Sequence, residues 1–276
     1  MQTKNLQGNS SPTIMVLPDR SSLAREAAMR FVAIARESVQ ARRRFAVVLS
    51  GGSTPRELYA LLATSEFSSQ VDWSRAYFFW GDERAVSPDH PDSNYRMANE
   101  ALLSRVLVPA ENIHRIRTEL PAEDAAREYE KTIQDFFGRG LTQMNADKKI
   151  DLRSTAWLWR TSPQSIRVPI FDLVLLGLGA NGHTASLFPH TRVLHDTLRW
   201  VAAEYIEQVK MWRITFTAPI INAAENILWL VAGADKATTV REVLRGAYRP
   251  DDLPAQLIQP AHGQAVWLLD KDAASF

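Results

Sequence analysis

Residues 171–189, FDLVLLGLGANGHTASLFP, decide how the chain is read. The apolar run Leu173–Leu176 has the length of a buried strand, and it ends abruptly in a glycine-rich turn. That turn delivers one histidine, His183, and then a short apolar piece stopped by Pro189. A wholly apolar strand emptying into a tight loop points to an open α/β sheet. Parallel strands are buried on both faces, and such sheets bind ligands at their carboxyl ends.

The flanking sequence repeats the same grammar. Residues 13–17 are a strand candidate, and Ser21 or Ser22 can cap a helix whose Leu23, Ala27, Phe31, Ile34 and Ala35 recur at helical spacing. Residues 45–49 (FAVVL) read as a buried strand running straight into Ser50-Gly51-Gly52-Ser53-Thr54-Pro55. There Thr54 as N-cap, Pro55 as the first helical residue and Glu57 three residues beyond the cap compose a capping box. Glycines ahead of a helix N-terminus expose backbone N–H groups at the positive end of the dipole, which makes either a phosphate seat or a plain tight turn.

Residues 75–80 (RAYFFW) are a further strand, ending in the polar loop Gly81-Asp82-Glu83-Arg84. Helices are expected from Ser93 or Asn94 through Val106, and over 121–137 with Glu123 and Asp124 in the first turn. Residues 138–169 lack a readable period and are expected to form an irregular excursion, a short hairpin being one reading of it. Strands then follow at 199–203, 212–217, 227–231 and 265–269, with helices at 218–224 and at 235–244, the latter capped by Asp235. This alternation predicts one α/β domain over 13–276, a mostly parallel sheet with helices on both faces, behind a frayed tail at 1–12.

At 276 residues the chain can bury a large core, and 46% apolar with 23% charged residues is ordinary globular composition. A formal net charge of +1 leaves no broad electrostatic footprint for nucleic acid or an anionic membrane. The basic cluster at 42–44 reads as a solvated turn compensating a helix end. The absence of cysteine excludes disulfides, a thiolate nucleophile and cysteine-ligated metal, and fits a reducing compartment. The polar N-terminus lacks the apolar core of a signal peptide, and no apolar run approaches the roughly 20 residues that span a bilayer, so a cytoplasmic location is expected.

Gly177-Leu178-Gly179-Ala180-Asn181-Gly182 matches the G-x-G-x-x-G dinucleotide fingerprint. That fingerprint should open a long helix, and Pro189 limits any helix after Gly182 to under two turns. No G-x-S-x-G elbow marks a serine nucleophile, and His183, His190 and His195 lack the spacing of a zinc pair, so no metal is expected. What remains is a loop-borne histidine, a phosphate cradle and an arginine at a neighbouring strand end.

With SGGSTP, WGDER, SNYR, GxGxxGHTASLFP, RITFTAP and AGADKA in this order, the chain resembles the 6-phosphogluconolactonases of the wider glucosamine-6-phosphate isomerase/lactonase superfamily. The resemblance spans residues 47–269. It implies a Rossmann-like open sheet, no cofactor, a small sugar-phosphate substrate, a monomer or small homo-oligomer, and hydrolysis of 6-phospho-D-glucono-1,5-lactone to 6-phosphogluconate in the oxidative pentose phosphate pathway. By the same resemblance His183 is the general base; an unperturbed histidine titrates near 6.5, so both of its protonation states are reachable. Gly51, Gly52, Ser53 and Thr54 match the phosphate loop, Arg84 steadies negative charge, and Arg213 is a second anion contact. Asp82 completes the set by positioning Arg84 and loop amides. Relatives usually carry aspartate where this chain has Asn181, which keeps a carbonyl acceptor beside the histidine but not a charge. Two other readings stay open: deamination and isomerisation of glucosamine 6-phosphate, or sugar-phosphate binding without turnover.

Overall fold

The computed structural model describes residues 12–147, 159–161, 167–260 and 262–276. In chain order the elements are β1 (Thr13–Leu17), α1 (Arg20–Arg42), β2 (Phe45–Leu49), α2 (Ser53–Leu62), α3 (Ser65–Ser68), β3 (Ala76–Trp80), β4 (Asp82–Arg84), α4 (Asn94–Ala101), α5 (Ala122–Asp147), β5 (Trp159–Thr161), β6 (Arg167–Pro169), β7 (Leu173–Leu176), β8 (Val201–Ile206), β9 (Met211–Phe216), α6 (Ala218–Asn222), β10 (Asn226–Val231), α7 (Ala237–Arg245) and β11 (Gln264–Asp270).

Strands β2 and β7 are buried at every position, as strands covered on both faces must be. They occupy the middle of a six-stranded sheet of order β1-β11-β10-β7-β2-β3, in which every pairing is parallel. From β2 the chain moves outward to β3, whereas from β7 it moves the opposite way to β10. The loops leaving these two neighbours therefore diverge, which opens a crevice at their carboxyl ends.

Helices cover both faces, as β3 shows through its alternation. Phe78 stacks on Trp73, which also meets Phe31 of α1. Tyr77 and Phe79, on the opposite face, both pack against Phe136 of α5. At the amino ends of β2 and β7, the buried Asp172 carboxylate accepts the Ala46 N–H at 2.7 Å and pairs with Arg42. The Asp172 N–H returns a bond to the Ala46 carbonyl at 3.0 Å, so one residue fixes the register of the two central strands.

Several expectations need correction. Helix α1 is capped by Asp19, whose side chain accepts the Ser22 N–H at 2.7 Å, and not by either serine. The basic cluster is not simply solvated. Arg42 reaches Asp172, and Arg44 lies over the rings of Phe136 and Phe137, its pKa lowered by burial. The α4 helix stops at Ala101 rather than reaching Val106, with a 3₁₀ turn at Leu103–Arg105. Helix α5 runs to Asp147, ten residues past the expected end, into the segment read as irregular. Beyond it β5 and β6 form an antiparallel pair, while residues 148–158 and 162–166 of that excursion lie outside the described residues, as does the expected tail apart from Pro12.

The polar loop at 82–84 is a strand instead. β4 joins β9 and β8 in a separate antiparallel sheet of order β4-β9-β8. Gly81 is the joint: its N–H bonds the Leu49 carbonyl at 3.0 Å, and its carbonyl accepts the Phe216 N–H at 2.7 Å. Among the described residues no helix is long and apolar enough to cross a membrane.

Replacing Asp172 with alanine strands the Ala46 N–H and removes the carboxylate paired with Arg42, a loss of about 2–4 kcal/mol. Chemical denaturation of D172A against the parent chain measures it; a change below about 0.5 kcal/mol, the range of ordinary surface substitutions, would remove the stitching role.

Candidate active site

The loop leaving β2 owes its shape to two glycines. Gly52 sits at φ 107°, a backbone region L-residues avoid, and it precedes the first helical residue, Ser53. The helix therefore starts two residues earlier than the capping box requires, and no side chain caps it. Thr54 is buried inside the first turn, and Glu57 points to Arg20 at 3.4 Å rather than back to the cap. The Ser53 and Thr54 amides are left without intrahelical acceptors, at the positive end of the ten-residue α2. Gly51 meets a different demand: a Cβ there would lie 1.9 Å from Asn94 Oδ1.

The loop leaving β7 forms no helix before a 3₁₀ turn at Arg192–His195. Gly182 at φ 79° and Ala185 at φ 47° fold it back, and the Gly179 N–H bonds the His183 carbonyl at 2.8 Å. The imidazole lies flat against Phe188, ring centroids 4.1 Å apart at 10°. A Cβ on Gly179 would come within 2.0 Å of His183 Nδ1, so glycine there makes room for the ring. His183 Nδ1 is 2.5 Å from Asn181 Oδ1, which also accepts the His183 backbone N–H at 3.3 Å. A carbonyl oxygen only accepts, so Nδ1 carries the proton and Nε2 keeps the lone pair.

Electrostatics hold that lone pair free. Burial pushes the His183 pKa down from 6.5 to about 4; Asp82 opposes the shift, while Arg213, Lys236 and Arg84 add to it. The histidine is thus neutral at pH 7, not midway through its titration.

Arg84 and Arg213 are cross-strand partners on β4 and β9, like charges placed directly opposite. Both Nε atoms are buried without a hydrogen-bond partner among the described residues, and burial followed by Arg84 lowers the Arg213 pKa. An unmet buried N–H costs about 1–3 kcal/mol, and an anion is one group that can supply the missing acceptors. Glu83 anchors the strand to α4, accepting the N–H groups of Arg84, Asn94 and Tyr95 at 2.8–2.9 Å and the Ser93 hydroxyl at 3.1 Å. Asp82 turns to Ser186 Oγ at 2.6 Å and Asn94 Nδ2 at 3.3 Å rather than to the Arg84 guanidinium.

Seven of the nine expected residues, Gly51, Gly52, Ser53, Thr54, Asp82, Arg84 and His183, line one cavity of about 390 Å³. Asn181, bonded to the histidine, and Arg213, across from Arg84 on β9, stay outside that lining. The cavity wall adds Arg20, Asn94 and Lys236, none of them singled out by sequence. Asn94 and Lys236 sit inside SNYR and AGADKA, so the signal was present; Arg20 carries none. Lys236 is presented by a turn at Gly233, φ 106°, whose N–H bonds the Asp270 carboxylate at 3.0 Å. Asp235 pairs with Lys236 at 3.0 Å and does not cap α7, which begins at Ala237. Among the described residues, no three His, Asp or Glu side chains group to hold a metal ion.

Comparison with known proteins gives a consistent result. The 6-phosphogluconolactonase of Nostoc sp. is 39% identical over 267 residues, 95% of this chain and 97% of that one. The protein of the same name from Synechocystis sp. is 37% identical over 265 residues, with the same two coverages, 95% and 97%. The solved 6-phosphogluconolactonase of Trypanosoma cruzi superposes with a TM-score of 0.80 at 27% identity, covering 97% of this chain and 98% of that one. The model of the glucosamine-6-phosphate isomerases/6-phosphogluconolactonase family matches residues 18–267, and the chain belongs to that family.

Proposed function

We propose that this chain hydrolyses 6-phospho-D-glucono-1,5-lactone to 6-phosphogluconate. The observation that carries the reading is His183: its Nδ1 is committed to Asn181, and its neutral ring lines one cavity with the α2 amides and Arg84. A lactone is an activated ester, so a positioned base and an electrostatic grip on the developing oxyanion suffice.

In this mechanism the Gly51–Gly52–Ser53–Thr54 loop holds the phosphate against the α2 dipole. Nε2 of His183 removes a proton from water as its oxygen bonds the lactone carbonyl carbon. Arg84, backed by Arg213, steadies the negative oxygen. Collapse of the tetrahedral adduct breaks the bond to the ring oxygen, which takes the proton from the imidazolium and leaves as a hydroxyl. The new carboxyl group then ionises.

Ring-opening isomerisation is the weaker reading, because residues 184–189 (TASLFP) hold no acid to drive it. Every group invoked comes from one copy, so no second chain is needed to complete the site. Within this reading the protein is a cytoplasmic enzyme without nucleic-acid or membrane partners, in keeping with its net charge of +1.

Freshly generated lactone distinguishes these readings. The parent chain is expected to exceed spontaneous hydrolysis clearly, and His183→Ala to lose about 10²–10⁴-fold in kcat. A parent rate equal to buffer would reject the lactonase, and equal rates for the two proteins would reject the base.

The charge state is checked separately by NMR titration of the His183 imidazole. A value near 4 is expected in the ligand-free protein. Inorganic phosphate offsets the surrounding cations and therefore favours the imidazolium, so saturating phosphate raises the value. A free-state value of 6 or above, or no response to phosphate, would contradict the assignment.

A further inference from the structure

His183 is held by a neutral hydrogen-bond partner and ringed by cations. Arg84 from β4, Arg213 from β9 and Lys236 from the turn after β10 all disfavour its charged form. Asn181 contributes an acceptor but no charge. A base of this kind is well placed to remain neutral and poorly placed to carry the proton it must take.

One carboxylate opposes those cations. Asp82 is buried, lines the same cavity as His183, and favours the histidine's charged form. Its side-chain acceptor bonds come from neutral donors, Ser186 Oγ at 2.6 Å and Asn94 Nδ2 at 3.3 Å, so no hydrogen-bonded cation cancels its charge. Those donors fix it rigidly, because Ser186 is itself held through its N–H to Thr215 Oγ1 at 3.1 Å, and Asn94 Nδ2 also bonds the Asp82 carbonyl at 3.0 Å.

We propose that Asp82 is the counter-charge of His183, doing through space what a carboxylate at position 181 would do by contact. Asp82 acts through the histidine and not on the substrate, so this inference rests on His183 serving as the base. It changes the role of Asp82 from a holder of Arg84 and loop amides to a positioning residue for protonic charge. With asparagine at 181, Asp82 is left to supply that charge, and the amide still fixes the tautomer.

A double-mutant cycle tests the assignment. Asp82→Asn keeps the shape and removes the charge; kcat for the lactone is expected to fall about 10–100-fold, one factor of ten per pKa unit of lost support. Adding Asn181→Asp to that variant restores a nearby charge and should recover at least about tenfold. Ser186→Ala removes one of the bonds that fix Asp82 but leaves the charge, so it should lose less kcat than Asp82→Asn.

The counter-charge is overturned if D82N/N181D is no faster than D82N, or if S186A loses as much as D82N. A readout independent of turnover is the NMR titration of His183 in the N181D background. There Asp82→Asn is expected to lower the imidazole pKa by about one unit, and an unchanged value would likewise overturn the coupling. Because that titration needs no lactone, a parent protein without lactonase activity would reject the proposed reaction while leaving this coupling separately decided.

Discussion

The site depends on one constraint of the sheet: β2 and β7 are hydrogen-bonded neighbours whose chains must leave in opposite directions. That divergence makes the crevice, and nothing in either loop would form a pocket without it. The stitch is made far from the crevice, where Asp172 joins the amino ends of the two strands. A register slip of one residue between these strands would turn Gly51 or Gly177 away from its counterpart loop. The burial of an aspartate and the geometry of a ligand pocket are thus two ends of one structural unit.

Strands β2 and β7 were legible in the sequence to the residue, because buried parallel strands leave uninterrupted apolar runs. The three-residue β4 was not. Its sequence, Asp-Glu-Arg, is wholly polar, and it becomes a strand only because β9 offers it a partner 129 positions on, at the Arg84–Arg213 pairing. Propensity carries no trace of such a pairing. The start of α2 was misread for a narrower reason. Ser53 and Thr54 both suit an N-cap, and the choice was made instead by Gly52, whose φ of 107° neither of them would adopt readily.

The site residues divide along similar lines. Glycines, the histidine and Arg84 stand in motifs whose spacing carries local chemistry, and the fold gathers them into one cavity. Lys236 and Arg20 reach the same cavity from opposite ends of the sequence, and only the sheet order brings the turns after β1 and β10 to it. The titration of His183 was beyond reach from sequence, because it depends on burial and on cations from three separate segments. A histidine read alone gives its solution value; a histidine among Arg84, Arg213 and Lys236 does not.

The facing arginines have a consequence for the end of the reaction rather than its start. On the lactonase reading, a neutral ester enters and a carboxylate is made, so the product is more negative than the substrate by one charge. On that reading the facing guanidinium groups, whose Nε atoms lack partners, meet a fleeting oxyanion first and a permanent anion afterwards. Catalytic attraction and product retention are, on that reading, one interaction seen at two times, and a grip that steadies the oxyanion also slows the departure of the carboxylate.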